Sequence, residues 1–181
     1  MTHPLISQLR FTRSEFARAF KGVGDDDARK QLLPMNCISW CVGHLAWQEQ
    51  RYFLGFGQGL IPFPEIDKGF AYGAPASTPL LKTVVDAWLA ITTAADPWLD
   101  SLSSSKLQEH AISNGKPIAY IHGNLLQRVI YHYWYHTGEI MAIRQQLGHK
   151  RLPQFVGNID DKAPYQPDRV VRQRKKRKTA S

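Results

Sequence analysis

The chain has 181 residues, of which 43% are hydrophobic and 11% aromatic. It is therefore long enough to bury one core and too apolar for a disordered chain. Its formal net charge is +8, but seven of its 23 basic residues lie at positions 169–181, and the other 16 nearly balance the 15 acidic residues. We expect a nearly neutral domain over residues 1–168 and a basic, disordered tail over residues 169–181 that a polyanion could bind.

The sequence indicates neither a secreted nor a membrane protein. The N-terminus has no apolar run of signal-peptide length, and no segment approaches the roughly 18 uncharged apolar residues of a membrane-spanning helix. Cys37 and Cys41 are the two cysteines, and a spacing of four on one helix is poorly suited to a disulfide. We expect a cytoplasmic protein whose nearly neutral body does not bind nucleic acid.

The first half of the chain predicts two helices and a loop. Helix one spans residues 4–21 and begins at Pro4, with apolar residues at helical spacing. Helix two follows Asn36, its N-cap, ends near residue 55 and is mostly buried. Residues 56–77 are rich in glycine, proline and aromatic residues, so we expect a long irregular loop, and loops of this length are often functional.

The second half predicts two more helices. Helix three begins with Thr78 and Pro79 as N-cap and first helical residue, and Pro97 marks a break or a fresh start. Residues 101–118 are polar and turn-rich, with one short extended piece. Helix four, the longest, runs from about residue 120 to residue 147. Four long helices and few period-two runs predict an all-α fold, a four-helix bundle with the long loop between helices two and three.

The segment YHYWYHTGE, residues 131–139, places two histidines on one face of helix four. His132 and His136 are four residues apart, and Glu139 returns close to the same line. This spacing presents two nitrogen ligands to one metal ion, as in the HExxH motif, but Tyr133 stands where that motif has its glutamate. The alternative is a pair of core histidines that bond to backbone carbonyls or to neighbouring hydroxyls.

A metal ion would need a third ligand, and His44 is the histidine whose position differs from the rest. It lies in the middle of helix two on an apolar stretch, where an unpaired imidazole is costly to bury, and Gly43 allows another helix or an ion to approach. A site of Cys37, Cys41 and His44 is disfavoured because a helix spreads them over roughly 10 Å. Position also argues against the remaining histidines, which are His3, His110, His122 and His149.

Two segments carry a family resemblance, WCVGHLAWQEQRYF and, some ninety residues later, YHYWYHTGEIMAIRQQLGH. They resemble the DinB-like (YfiT-like) superfamily over roughly residues 5–150. The resemblance implies a four-helix bundle with a three-histidine metal site at His44, His132 and His136, followed by the trailing signature of residues 137–139. It also implies a homodimer.

The implied chemistry is metal-dependent. Three imidazoles leave a coordination position open, and zinc or nickel is the expected ion, with iron or manganese as alternatives. Better-understood branches of the family transfer low-molecular-weight thiols such as bacillithiol or mycothiol. We therefore expect a thiol S-transferase or a hydrolase that activates a thiol or water for a small-molecule substrate.

Several roles stay open at this point. Glu139 could accept a proton from the bound water or thiol, hold His136 in position, or lie solvated at the edge of the bundle. Gln48 could line the same cavity or fill space, whereas Glu49 and Arg51 are expected at the edge of helix two. The alternative function is a non-catalytic dimeric metal-binding bundle or interaction module that uses the basic tail as a polyanion tether.

Overall fold

The computed structural model describes residues 2–166 and is mainly helical, with one small sheet. In chain order the elements are α1 (Pro4–Phe20), α2 (Asp25–Arg29), α3 (Ile38–Glu49), a π-helical segment (Gln50–Gly55), α4 (Phe56–Gln58), α5 (Pro64–Phe70), α6 (Leu81–Asp100), α7 (Ser104–Leu107), β1 (His110–Ser113), β2 (Lys116–Ile121), α8 (His122–Gln146) and α9 (Ile159–Lys162). The predicted basic tail, residues 169–181, and the end of the predicted domain lie outside the described residues.

The four long helices, α1, α3, α6 and α8, enclose the core. Helix α1 packs against α8, while α3 packs against α6 and also contacts α8. At the centre the ring of Phe16 from α1 meets Tyr133 of α8 edge-on at a centroid distance of 5.0 Å and Trp88 of α6 at 5.8 Å. Because α3 and α8 touch, side chains of helices far apart in sequence can meet.

Helix two of the sequence analysis corresponds to α3 and the π-helical segment after it. It begins one residue later than predicted, since Cys37 and not Asn36 is the N-cap. The side chain of Gln50 bonds to the backbone of Phe63 in both directions, donating to its carbonyl oxygen at 2.9 Å and accepting from its amide at 2.9 Å. These bonds fix the start of α5 against the end of helix two.

The expectation of a wholly irregular loop over residues 56–77 is wrong, because the segment contains α4 and α5. Helix α5 begins at Pro64, a favoured first helical residue, and buries Ile66 and Phe70. The ring of Phe70 lies so close to α3 that a Cβ added at Gly43 would be 2.5 Å from it. Gly43 therefore makes room for α5.

Helix three of the sequence analysis corresponds to α6, with both predicted ends corrected. It begins at Leu81 and not at Pro79. The Leu81 amide donates a hydrogen bond to the Asp25 carboxylate of α2 at 2.8 Å, so Asp25 acts as the cap. It continues through Pro97 to Asp100 without a break. Because Pro97 lacks an amide proton, one hydrogen bond of the helix is not formed there. The adjacent Asp96 forms an ion pair with Arg13 at 2.8 Å, which stabilises this end of the helix.

A β-hairpin precedes α8, so the fold is not purely α-helical as predicted. Strands β1 and β2 are antiparallel, with Ser113 opposite Lys116. The two turn residues, Asn114 and Gly115, have φ values of 50° and 73°. An Asn-Gly pair is favoured in two-residue hairpins because both positions need positive φ. This signal was present in the predicted polar stretch 101–118.

Two further features concern the part of the chain that the structure describes. No helix between residues 2 and 166 is both long enough and apolar enough to span a bilayer. Cys37 and Cys41 are buried free thiols.

Candidate metal centre

Helices α3 and α8 bring the three predicted histidines together. His44 lies on α3, and His132 and His136 lie on α8, with one ligand nitrogen of each within 4.8 Å of the others. The Nε2 atoms of His132 and His136 are 3.0 Å apart, and the His44 ring centroid is 5.0 Å and 5.3 Å from theirs. The proximity agrees with the predicted site, and the binding of an ion stays a prediction.

His44 is held rigidly by its neighbours. Its Nδ1–H donates to the carbonyl oxygen of Phe70 at 2.7 Å, and its ring stacks between the indoles of Trp40 and Trp47, with centroids at 4.8 Å and 5.2 Å. Burial lowers the pKa of His44, outweighing the Phe70 bond, so the neutral ring is favoured. With Nδ1 protonated, Nε2 is the nitrogen available to an ion.

Glu139 orients the second histidine. The Nδ1–H of His136 donates to Glu139 Oε2 at 2.7 Å, so Nε2 of His136 carries the lone pair. Burial acts to raise the pKa of Glu139, but the hydrogen bond from His136 and the electrostatic attraction of its ring outweigh it, and the pKa is lowered. A carboxylate behind a ligating histidine is a common arrangement in metal sites. Glu139 is therefore not a solvated edge residue, and a proton-transfer role for it stays untested.

His132 is the most strongly perturbed member of the cluster. Burial, the adjacent imidazoles of His136 and His44, and the charge of Arg128 together lower the pKa of His132 to about 3. Its Nδ1 is buried and has no hydrogen-bond partner among the described residues. The ring is therefore neutral at physiological pH, as a metal ligand must be.

The donor set fits a divalent ion. Two nitrogens bound to one tetrahedral zinc ion at about 2.1 Å lie about 3.4 Å apart, so the spacings in the cluster need only small side-chain shifts. This region also holds two buried polar atoms that have no hydrogen-bond partner among the described residues, Nδ1 of His132 and Oγ1 of Thr137. Buried polar atoms are rarely left unpaired.

A second group of potential ligands lies directly behind the first. One atom each of Cys41, His136 and Glu139 also fall within 4.8 Å of one another. Burial raises the pKa of the Cys41 thiol well above its usual value. Glu139, whose carboxylate accepts a hydrogen bond from this thiol at 3.6 Å, raises the pKa further. The thiol is a poorer ligand than the three imidazoles. The Cys37 thiol contacts Ser39 and the carbonyl oxygen of Ser77, and not this group. This placement argues against a site of Cys37, Cys41 and His44.

A cleft of about 350 Å³ opens beside the histidines. It is lined by His44, Trp47, Gln48, Tyr52, Tyr72, Arg128 and His132. Two of the three candidate ligands therefore face a space large enough for a small molecule. The residue Gln48, whose role the sequence left open, belongs to the wall of this cleft, whereas Glu139 does not.

A buried ionic network is the feature that the sequence reasoning missed. Glu49, predicted at the edge of helix two, is 0% exposed. It pairs with both Arg13 Nε, at 2.8 Å, and Arg13 Nη2, and it accepts from the Tyr133 hydroxyl at 2.6 Å. Trp88 Nε1–H donates to that hydroxyl at 2.6 Å. Because Arg13 and Tyr133 are distant in sequence, no local pattern could have shown that a charge at Glu49 is paired in the core.

These observations define a mainly helical protein with a three-histidine cluster between two of its long helices. The family model described as DinB superfamily matches residues 8–140. The chain belongs to the DinB superfamily, as the resemblance implied.

The comparison with solved structures agrees with this fold. The crystal structure of a DinB-like protein from Bacillus cereus aligns with a TM-score of 0.56 and 17% sequence identity, covering 82% of this chain and 91% of that chain. At this identity the match supports the fold alone. No curated protein matches the sequence.

Proposed function

We propose that this protein is a metal-dependent enzyme in which His44, His132 and His136 hold one divalent ion beside the cleft. The observation that carries the proposal is the convergence of three ligand nitrogens within 4.8 Å, two of them on residues that line the cleft. Zinc or nickel suits three neutral imidazoles, with iron or manganese as alternatives. The four long helices then form the four-helix bundle of the DinB type.

The residues around the cluster favour catalysis over a closed structural site. A structural zinc site has four protein ligands, whereas three leave a position for a substrate or water. A bound divalent ion lowers the pKa of a thiol or water that it holds. Because His44 and His132 line the cleft, a substrate or water held by the ion would be reached from it. Glu139 lies outside the cleft wall, which favours positioning of His136 over proton transfer to a substrate.

The reaction class follows from what occupies the open position. If a small thiol is the nucleophile, it would form a bond to an electrophilic atom of the substrate as the leaving group departs, and the protein would be a thiol S-transferase. If water is the nucleophile, the protein would be a hydrolase. Both reactions need a nucleophile at neutral pH and a substrate of the size of the cleft.

Cobalt substitution tests this proposal. Cobalt(II) loaded at one equivalent gives a ligand-field spectrum in the wild type, and we expect a small thiol such as bacillithiol to add a sulfur-to-cobalt charge-transfer band. An unchanged spectrum on adding thiol, together with hydrolysis of activated esters, would assign the hydrolase. Failure of the folded wild type to bind cobalt, or a bound ion that gives neither thiol binding nor turnover, would contradict the enzyme and favour the non-catalytic bundle.

We also propose a homodimer. Tyr131 and Tyr135 of α8 are 68% and 69% exposed, so no described loop covers them, and a second subunit would bury this aromatic surface. Light scattering on the full chain should give twice the chain mass. A monomer mass at micromolar concentration would contradict the dimer without affecting the metal site.

A further inference from the structure

The wall of the cleft has a charge distribution that bears on what enters it. Its seven lining residues include no carboxylate, and Arg128 is the one arginine or lysine among them. Trp47, Tyr52 and Tyr72 supply aromatic faces. A positive cleft with aromatic walls suits a flat, negatively charged molecule.

Arg128 is placed to bind an anion. Its guanidinium lies 5.4 Å above the ring of Tyr120, and no carboxylate of the described residues is within ion-pair distance of it. Arg128 is one helical turn before His132, so both side chains project from the same face of α8. A guanidinium presents a planar fork that matches a carboxylate through two parallel hydrogen bonds.

Gln48 gives the cleft a second, buried polar contact. Its side chain is 5% exposed, yet its Oε1 has no hydrogen-bond partner within the part of the chain that the structure describes. Buried polar atoms are almost always paired, so a molecule in the cleft that donates a hydrogen bond would satisfy this oxygen once the Gln48 amide turns toward it. Gln48 lies one turn after His44 on α3, whereas Arg128 lies on α8, so the two polar groups of the cleft wall come from different helices.

We propose that the cleft binds a small aromatic carboxylic acid. Its carboxylate pairs with Arg128, its ring packs on the aromatic wall formed by Trp47, Tyr52 and Tyr72, and a hydroxyl or amine at its far end donates to Gln48 Oε1. The inference rests on the proposed function for the identity of the site, and it adds the charge and shape of the substrate.

Titration with three matched probes, followed by ligand-observed NMR, tests the inference. The probes are 4-hydroxyphenylacetate, its neutral alcohol analogue 4-hydroxyphenylethanol, and phenylacetate, which lacks the hydroxyl. We expect the hydroxy acid to bind the full-length wild type at least tenfold more tightly than the alcohol. Arg128→Gln abolishes this preference, whereas Arg151→Gln, an exposed arginine outside the cleft with the same change of charge, leaves it intact.

A second comparison tests the Gln48 contact. In the wild type, phenylacetate binds more weakly than the hydroxy acid, and Gln48→Leu removes that difference while the preference for a carboxylate remains. Equal affinities for acid and alcohol in the wild type, or an Arg128→Gln variant that keeps the preference, would overturn the inference. So would a Gln48→Leu variant that still favours the hydroxyl, since another group would then recognise it.

Each titration is made on the protein as purified and after removal of metal with a chelator. Binding that depends on Arg128 in both forms supports the inference even if metal analysis finds no ion, in which case only the proposed enzyme fails. A bound ion without any preference for the acid leaves the enzyme standing and overturns the substrate class.

Discussion

At the scale of single residues, His132 links the candidate site to the pH dependence of stability. Its pKa in the folded protein is about 3, whereas an exposed histidine in the unfolded chain titrates near 6.5. Between these values the unfolded state binds the proton and the folded state does not. The contribution of His132 to the free energy of unfolding is therefore fully present above pH 6.5 and is lost as the pH is lowered toward 3.

Urea unfolding of the metal-free protein at pH 7 and pH 5 checks this prediction. The free energy of unfolding should fall between the two pH values in the wild type, and it should fall less in His132→Phe, which cannot take up the proton when unfolded. Identical losses in the two proteins would show that the His132 imidazole is not held neutral by the fold. His44, whose pKa is also lowered, contributes to the slope that remains.

A substitution at Tyr133 tests the buried ionic network through the free energy of unfolding, again measured in urea. Its hydroxyl donates to Glu49 and accepts from Trp88, so Tyr133→Phe leaves a buried carboxylate with one donor fewer and an indole N–H unpaired. We expect the free energy of unfolding to fall by about 1–3 kcal/mol. Tyr135→Phe removes a hydroxyl from an exposed side chain and should change it by less than about 0.5 kcal/mol.

Equal effects of the two tyrosine substitutions would contradict the network. The hydroxyl of Tyr133 would then add nothing beyond what a solvated phenol adds, and Glu49 would be satisfied by Arg13 alone.

At the scale of elements, the close contact between α3 and α5 sets the position of His44. A Cβ at Gly43 would lie 2.5 Å from the Phe70 ring, and the Phe70 carbonyl accepts the His44 proton. Gly43→Ala should therefore destabilise the protein by about 1–2 kcal/mol, because overpacking exceeds the gain in helix propensity. Gly138→Ala, on α8 with no neighbour within 4 Å of the new Cβ, should stabilise it by up to about 1 kcal/mol.

Chemical denaturation of both variants at equal protein concentration measures this difference. Stabilisation by both substitutions would contradict the close packing of α5 on α3. His44 would then need another explanation for its orientation.

The elements also show what the sequence could and could not predict. Apolar spacing predicts the four long helices, and the spacing of His132 and His136 predicts that they share a face. Nothing local predicts that Asp25 caps α6 at Leu81 or that Arg13 neutralises Glu49, because the partners are distant in sequence. The hairpin at residues 110–121 was predictable in principle, since its Asn-Gly turn is a local signal.

At the scale of the whole molecule, the candidate metal centre depends on how two helices pack. His44 and the α8 histidines are nearly ninety residues apart in sequence, and the contact between α3 and α8 brings them within reach of one ion. An ion bound there would tie these helices together in the folded state alone, so its binding free energy would add to folding stability.

The measurement that tests this most directly is elemental analysis of tag-free protein purified without added metal. The wild type should hold about one divalent ion per chain, lost in both His44→Ala and His132→Ala. The same ion should remain in His110→Ala, which removes an exposed histidine outside the cluster. Circular dichroism checks that each variant is folded. A folded wild type that takes up no ion, even after incubation with zinc, nickel or manganese, would contradict the metal centre.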